Sequence, residues 1–429
     1  MNTTSILPLP VQCGLQQFEK QARELAAAGR RGREALKEYI TQHFPVFLHL
    51  REERKLIGEA FTGADAQFVV ARSYGFESWA KLAEFTARMH RPYSEVLQFE
   101  SAVNAIVTGD IATLGGLLHS NPELVHLRSM RVHHATLLHY TSANGVENYR
   151  QHSPGNAVAI ARMLLEAGAE VDAAHPTNAN MGTTLGLVAT SCHPHRAGVQ
   201  IGLLDTLYNA GAAVDGVPGG WQPLMAALAN ARPEAAAWLA GHGARMSTVA
   251  AAGLGRMDLL HTFFDKDGRI KSAHAPERLW HVPDEPRAQL LRAFIYACIY
   301  GHTEVAAFLI DKGVDPSAQD DDKYTGLHWA AHGGHVDTVR FLLSKKAPLE
   351  VKNAYDGTVL SQVLWSAANK ADGWGGNRPG YDYTEIIELL LVAGAVVEPG
   401  TVEWLAGQDQ LPASMRERMI AAFEKAARC

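Results

Sequence analysis

The chain has 429 residues, 47% hydrophobic and 20% charged, enough to bury a sizeable core, and its net charge of −6 gives no reason to expect a nucleic-acid or anionic-lipid partner. Its four cysteines, Cys13, Cys192, Cys298 and Cys429, stand at no ligand or redox spacing, which argues against a disulfide framework or a zinc knuckle. The start lacks a basic segment leading into an apolar run, and no stretch of about 18 apolar residues occurs, so a cytoplasmic location without a membrane span is expected.

In chain order, helix formers fill Leu15 to Arg30 and Gly32 to Phe44, with Phe18, Ala22, Leu25 and Ala26 in one apolar stripe and Pro45 as a stop. Thr62-Gly-Ala-Asp65 fits a capping box opening a third helix that ends at Gly75, and Ser78 suits the cap of a fourth, Trp79 to Met89. Residues 1–92 are therefore read as an N-terminal helical region. Phe68, Val69, Phe76, Trp79, Leu82 and Phe85 are too many large apolar groups for a solvated linker, so residues 60–92 are expected to dock as a helical cap on the first element beyond residue 92.

From residue 93 onward a unit recurs. Thr325 to Ala347 reads T-G-L-H-W-A-A-H-G-G-H-V-D-T-V-R-F-L-L-S-K-K-A, and both Gly301 to Gly334 and Thr325 to Thr358 span 33 positions. Eight units can be aligned. They run through Phe99 to Val125; Thr136-Leu-Leu-His139 to Gly168-Ala169; Thr183-Thr-Leu-Gly186 to Gly211-Ala212; and Gln222-Pro-Leu-Met225 to Gly243-Ala244. The remaining four are Ala251 to Phe264, the unit closing at Gly313, the one quoted above, and Thr358 to Gly394-Ala395. Pro412 to Arg428 adds a terminal helix that caps the stack.

Each unit resembles an ankyrin repeat, and the leader segment A-R-S-Y-G-F-E-S-W-A-K-L is similar to the helical region before the repeats in a group of bacterial ankyrin proteins. The resemblance implies an all-α ankyrin-repeat solenoid of about eight degenerate repeats with short β-hairpin turns, preceded by the helical region of residues 1–92 and occupying 93–429. The Leu-Leu and Ala-Ala positions become core only when neighbours stack, Thr caps the first helix, and the closing glycine takes the left-handed conformation.

Twenty histidines need an explanation. His139, His328, His302 and His335 fall on template positions where the ring bonds to nearby backbone. His328 and His332 are i, i+4 on a helix, but no third ligand is assignable, and no metal, cofactor or catalytic residue is assigned. Other histidines sit where the template is broken. The step between turn and closing positions is 12 from Gly301 to Gly313, yet 23 from Gly145 to Gly168, 19 from Cys192 to Gly211 and 27 from Ala367 to Gly394. The inserts all fall between the two helices of a unit, so they emerge along one edge.

Those of units two and three bring Tyr149, Arg150, Gln151, His152, His193, His195, Arg196 and Gln200 to that edge, and the insert of unit eight adds Trp374 and Arg378. Their chemistry suits a small anionic or polar ligand. The bland alternative is that the loops only cover the stack. Pro194 is expected to hold His193 and His195 extended and facing opposite ways.

The resemblance implies protein binding through the concave face of hairpin tips and first helices, where Tyr324, Trp329, His332 and Tyr355 are the candidate contacts. A scaffold for an unidentified protein partner is therefore the leading expectation. The alternative is a small-molecule-binding protein or enzyme using a polar pocket between the inserts of units two and three.

Overall fold

The computed structural model describes residues 6–10, 14–49, 61–175, 182–218, 220–266, 270–271, 286–369 and 383–427. The chain forms two compact units, Met1–Pro223 and Leu224–Cys429.

Unit one opens with α1 (Leu15–Arg30), α2 (Arg33–His43), α3 (Gly63–Ser73) and α4 (Trp79–Met89). The expected caps are present. The Thr62 hydroxyl accepts from Asp65 N while the Asp65 carboxylate accepts from Thr62 N at 2.7 Å, and Ser78 accepts from Lys81 N. These helices close around Phe18, Leu25, Ile40, Val69, Phe76, Leu82 and Phe85, and the same cluster takes in Val96 and Met130 from beyond the leader. Val132 N donates to Gly75 O at 2.8 Å, so backbone pairing also ties the leader to the first hairpin of the array.

The repeats of unit one are α5 (Glu95–Thr108) with α6 (Ile111–Ser120), α7 (Leu137–Tyr140) with α8 (Ala157–Glu166), and α9 (Thr184–Thr190) with α10 (Cys192–Arg196) and α11 (Gln200–Asn209). The α10 helix corrects the extended reading of His193-Pro194-His195. Pro194 sits in the first turn of a helix, where its missing N–H is not needed and its fixed φ is helical.

Unit two holds all but the first residue of α12 (Pro223–Ala229), then α13 (Pro233–Gly241), α14 (Thr248–Gly253) and α15 (Met257–Leu260), and α16 (Pro286–Ile299) and α17 (Thr303–Asp311). Then come α18 (Gly326–His332) with α19 (Val336–Ser344), α20 (Val359–Ala368) with α21 (Thr384–Val392), and finally α22 (Thr401–Ala406) and α23 (Ala413–Ala426). The terminal helix is α23; α22 was not foreseen.

Among the described residues the hairpins are marked by isolated antiparallel bridges, Arg128 with Thr136, His175 with Gly182, Phe264 with Ile270 and Gln319 with Thr325. The closing glycines Gly168, Gly211, Gly243, Gly313 and Gly394 have φ between 88° and 99°, as the template requires. In the repeat of α18 and α19 that place belongs to Lys346, at φ 61°.

The template histidines bond as expected. His328 Nδ1 accepts from Thr325 N at 3.2 Å and its Nε2 faces Gly357 O at 3.3 Å, while His139 makes the equivalent pair with Thr136 N (3.0 Å) and Ala173 O (3.0 Å). His302 and His335 reach back to Gly253 O and Ile299 O of the preceding repeats. Each ring is thereby fixed in the tautomer with its proton on Nε2.

Candidate functional site

The insert of α7–α8 does not project as a free loop. Arg150 turns inward, its Nη1 lying 2.7 Å from Glu100 Oε2 and 3.3 Å from Glu147 Oε1, while Nη2 donates to Asn104 Oδ1 at 3.1 Å. Arg131, fully buried, places Nε 3.0 Å from Glu147 Oε1, donates from Nη1 to Tyr74 O at 2.9 Å, and lies over the rings of Phe76 and Phe85. Two carboxylates face two guanidiniums, which makes the cluster neutral. Burial pushes the Glu147 carboxyl up, but Arg131, with His133 and Arg150, outweighs it and holds the group far below the usual carboxylate range.

The other predicted insert residues are placed as follows. Tyr149 is partly exposed beneath the Arg150 guanidinium; Gln151 donates to Val146 O; His152 is exposed, with Nδ1 3.1 Å from Val107 O. His193 is half-buried in α10, His195 and Arg196 are exposed, and Gln200 is buried with its amide on the carbonyls of Val188, Ala189 and Ser191. Trp374 and Arg378 lie outside the described residues. A cleft of about 110 Å³ lies between α4, α5 and residues 127–130, with Phe85, Val96, Phe99 and Leu127 as its apolar wall. That volume is well below the roughly 300 Å³ at which drug-sized ligand pockets begin.

Sequence reasoning missed Glu100, Arg131 and His133 as partners of Arg150 and Glu147. A buried arginine carries no periodic signal; the run M-R-V-H-H in the first hairpin was the only hint.

Of the residues expected on the concave face, Tyr324 and Trp329 pack against each other. Tyr324 and Trp329 stack at 4.8 Å between centroids, and Trp329 Nε1 donates to Asp320 Oδ2 at 2.7 Å. The other oxygen of Asp320 accepts from the backbone N–H of Asp322 and Tyr324, which shapes the hairpin tip, and Lys323 takes φ 61° there. Burial pushes the Asp320 carboxyl up, against the opposing pull of the Trp329 bond. The next tip is tied to this one by Ala354 N donating to Asp322 O at 2.9 Å, and it carries Tyr355, which is 80% exposed.

His332 is placed differently from the expectation. It is 6% exposed, with Nδ1 2.6 Å from Ser366 Oγ and 3.0 Å from Gln362 Nε2, so it forms a supporting layer and not a contact surface. Its ring lies between Trp329 at 5.7 Å and Trp365 at 6.3 Å. Trp365, 47% exposed on α20, extends the row and was not singled out from sequence. Its signal was a tryptophan on a helix whose template offers only small and aliphatic core residues.

Residues 294–343, covering α17 and α18 with most of α19 and part of α16, match the family model described as ankyrin repeats (many copies). No curated protein matches the chain. Among solved structures, the ankyrin repeat domain of human ASB11 is similar at 17% identity and a TM-score of 0.34, over 69% of this chain and 99% of that one. With the helix pairs and the 33-residue spacing, the family match makes this an all-α fold of ankyrin-repeat type.

Proposed function

We propose that the chain is a protein-interaction scaffold whose partner seats on the face of unit two formed by the hairpin tips 320–323 and 353–356 together with α18 and α20. The observation that carries this reading is the row Tyr355, Tyr324, Trp329 and Trp365. These are aromatic side chains of the type that anchor interfaces, presented at the surface, with Trp329 backed by Asp320 and by the His332 ring that Ser366 holds. Because Tyr324 and Trp329 are already held against each other and against Asp320 in the free chain, a partner that seats on them immobilises fewer side chains on binding. No described helix is long and apolar enough to cross a membrane.

The alternative, a small-molecule or catalytic site on the insert edge, has no comparable support. The charge of Arg150 is answered by Glu100 and Glu147, and the adjacent cleft is small. A photo-reactive phenylalanine analogue at position 355 tests the scaffold reading, with the same analogue at Glu304, an exposed residue of α17, as control. A protein cross-linked at 355 and lost when Trp365→Ala is added supports it; cross-linking of equal yield at both positions sinks it.

A further inference from the structure

We infer that the segment this face receives is basic, with arginine or lysine side chains lying over Tyr355 and Tyr324 and against Asp320 and Asp322. The inference rests on the reading of this face as the docking surface. Two independent observations carry it.

The first is a contrast within unit two. Elsewhere in the unit the chain lays its own cations on phenylalanine rings, two of them half-buried and one buried: Lys312 Nζ lies 5.3 Å from the centre of Phe308 and 5.2 Å from that of buried Phe264, and Lys345 Nζ lies 5.5 Å from that of Phe341. Among the described residues no lysine or arginine lies over Tyr324, Tyr355 or Trp365, although these rings include the most exposed of the unit. An aromatic face attracts a cation through its quadrupole, and here that attraction is left for an outside group.

The second is the charge behind the rings. Of the aspartates at the two tips, Asp321 pairs with Arg292 at 2.9 Å and Asp356 with Lys352 at 3.0 Å. Asp320 and Asp322 have no cationic partner among the described residues. Asp320 is half-buried, and its carboxylate is answered only by the indole N–H and two backbone N–H groups. A partly desolvated carboxylate gains more from an arriving cation than an exposed one does, because less solvent screens the pair. The raised affinity of Asp320 for a proton has the same origin in burial. An acidic partner would meet Asp322 and Asp320 as like charges, and a purely apolar one would leave them further desolvated and unpaired.

The test uses the full chain and three labelled ten-residue peptides, alternating arginine with glycine, glutamate with glycine, and phenylalanine with serine, followed by fluorescence anisotropy. The arginine peptide is expected to bind saturably and to weaken as salt is raised from roughly 50 to 300 mM. Since the whole chain is acidic, affinity alone is not decisive. Tyr355→Ala and Asp322→Asn must each weaken binding by about three- to tenfold, with unchanged melting temperatures because both residues are exposed.

Binding of the arginine peptide that ignores both substitutions overturns the inference. Should the phenylalanine peptide bind instead and be lost in Tyr355→Ala, the basic class is overturned while the docking face stands. If neither substitution changes the binding of any of the three peptides, the inference and the scaffold reading on this face both fall.

Discussion

His175 and His328 are held neutral by burial, which brings both down to about 4, and for His328 the bond to Gly357 O only partly offsets it. An exposed histidine takes up a proton near 6.5. Between these values the unfolded chain binds protons that the folded chain refuses. The stability contributed by keeping the rings neutral is therefore complete above about pH 6.5 and lost as pH falls toward 4, at about 1.4 kcal/mol per pH unit for each such ring. Urea titrations from pH 7.5 to 4.5 should show this fall, and His328→Gln, referred to its own value at pH 7.5, should fall less steeply. Equal slopes would assign the acid sensitivity to other groups. Arg131 and Glu147 make a sharper case: Arg131→Met strands a buried carboxylate and should cost about 3–5 kcal/mol, whereas Arg131→Met with Glu147→Gln should recover part of that loss. The template histidines were legible in the sequence because their bonds are local, three residues apart or one repeat apart. The Arg131 network was not, since it joins Tyr74, Glu100, Arg131 and Glu147 from four separate segments, and nothing local distinguishes a buried arginine from a solvated one.

Most helices, their caps and the closing glycines could be read from periodicity, because each repeat restates the same local rules. The departures have identifiable causes. Gly326 stands where the template places proline, and a Cβ there would lie 2.6 Å from Phe294 Cε1 and 2.8 Å from Cys298 Sγ of α16, so close approach of neighbouring first helices demands glycine. Gly326→Ala should destabilise by about 1–3 kcal/mol through overpacking, and a Cys298→Ala background should relieve part of it in denaturant titrations. Lys346 has the opposite problem. It adopts φ 61° where five other repeats use glycine, a conformation that costs a side-chain-bearing residue about 1 kcal/mol or more, so Lys346→Gly should raise the urea midpoint. An unchanged or lower midpoint would mean that the lysine stem makes compensating contacts. On α19, Leu342 is fully buried, and Leu342→Ala should cost about 2–5 kcal/mol. A loss below about 0.5 kcal/mol would contradict the register that makes it core.

At the scale of the molecule, the leader and the first three repeats share one compact unit, and the reason lies in what crosses between them. Apolar packing runs from Phe76 and Phe85 to Val96 and Met130, and Arg131 enters the leader from the first hairpin of the array to meet Tyr74 O and the faces of those two phenylalanines. The count of large apolar residues in the leader made such docking foreseeable; the polar half of the joint was not, because it depends on tertiary neighbours. The consequence is a specific expectation for a chain lacking residues 1–92. It would lose the apolar cover of Val96 and Met130, and it would leave Arg131 facing water on one side while Glu100, Glu147 and Arg150 lost the low-dielectric wall that strengthens their pairing. Such a chain should elute from size-exclusion columns as aggregate or oligomer and melt at a lower temperature than the full chain. Adding Met130→Ser and Val96→Ser should restore solubility without restoring the melting temperature, because it removes the exposed apolar surface but not the lost packing. A truncated chain that stays monomeric and melts as the full chain does would show that residues 1–92 fold and act apart from the repeats.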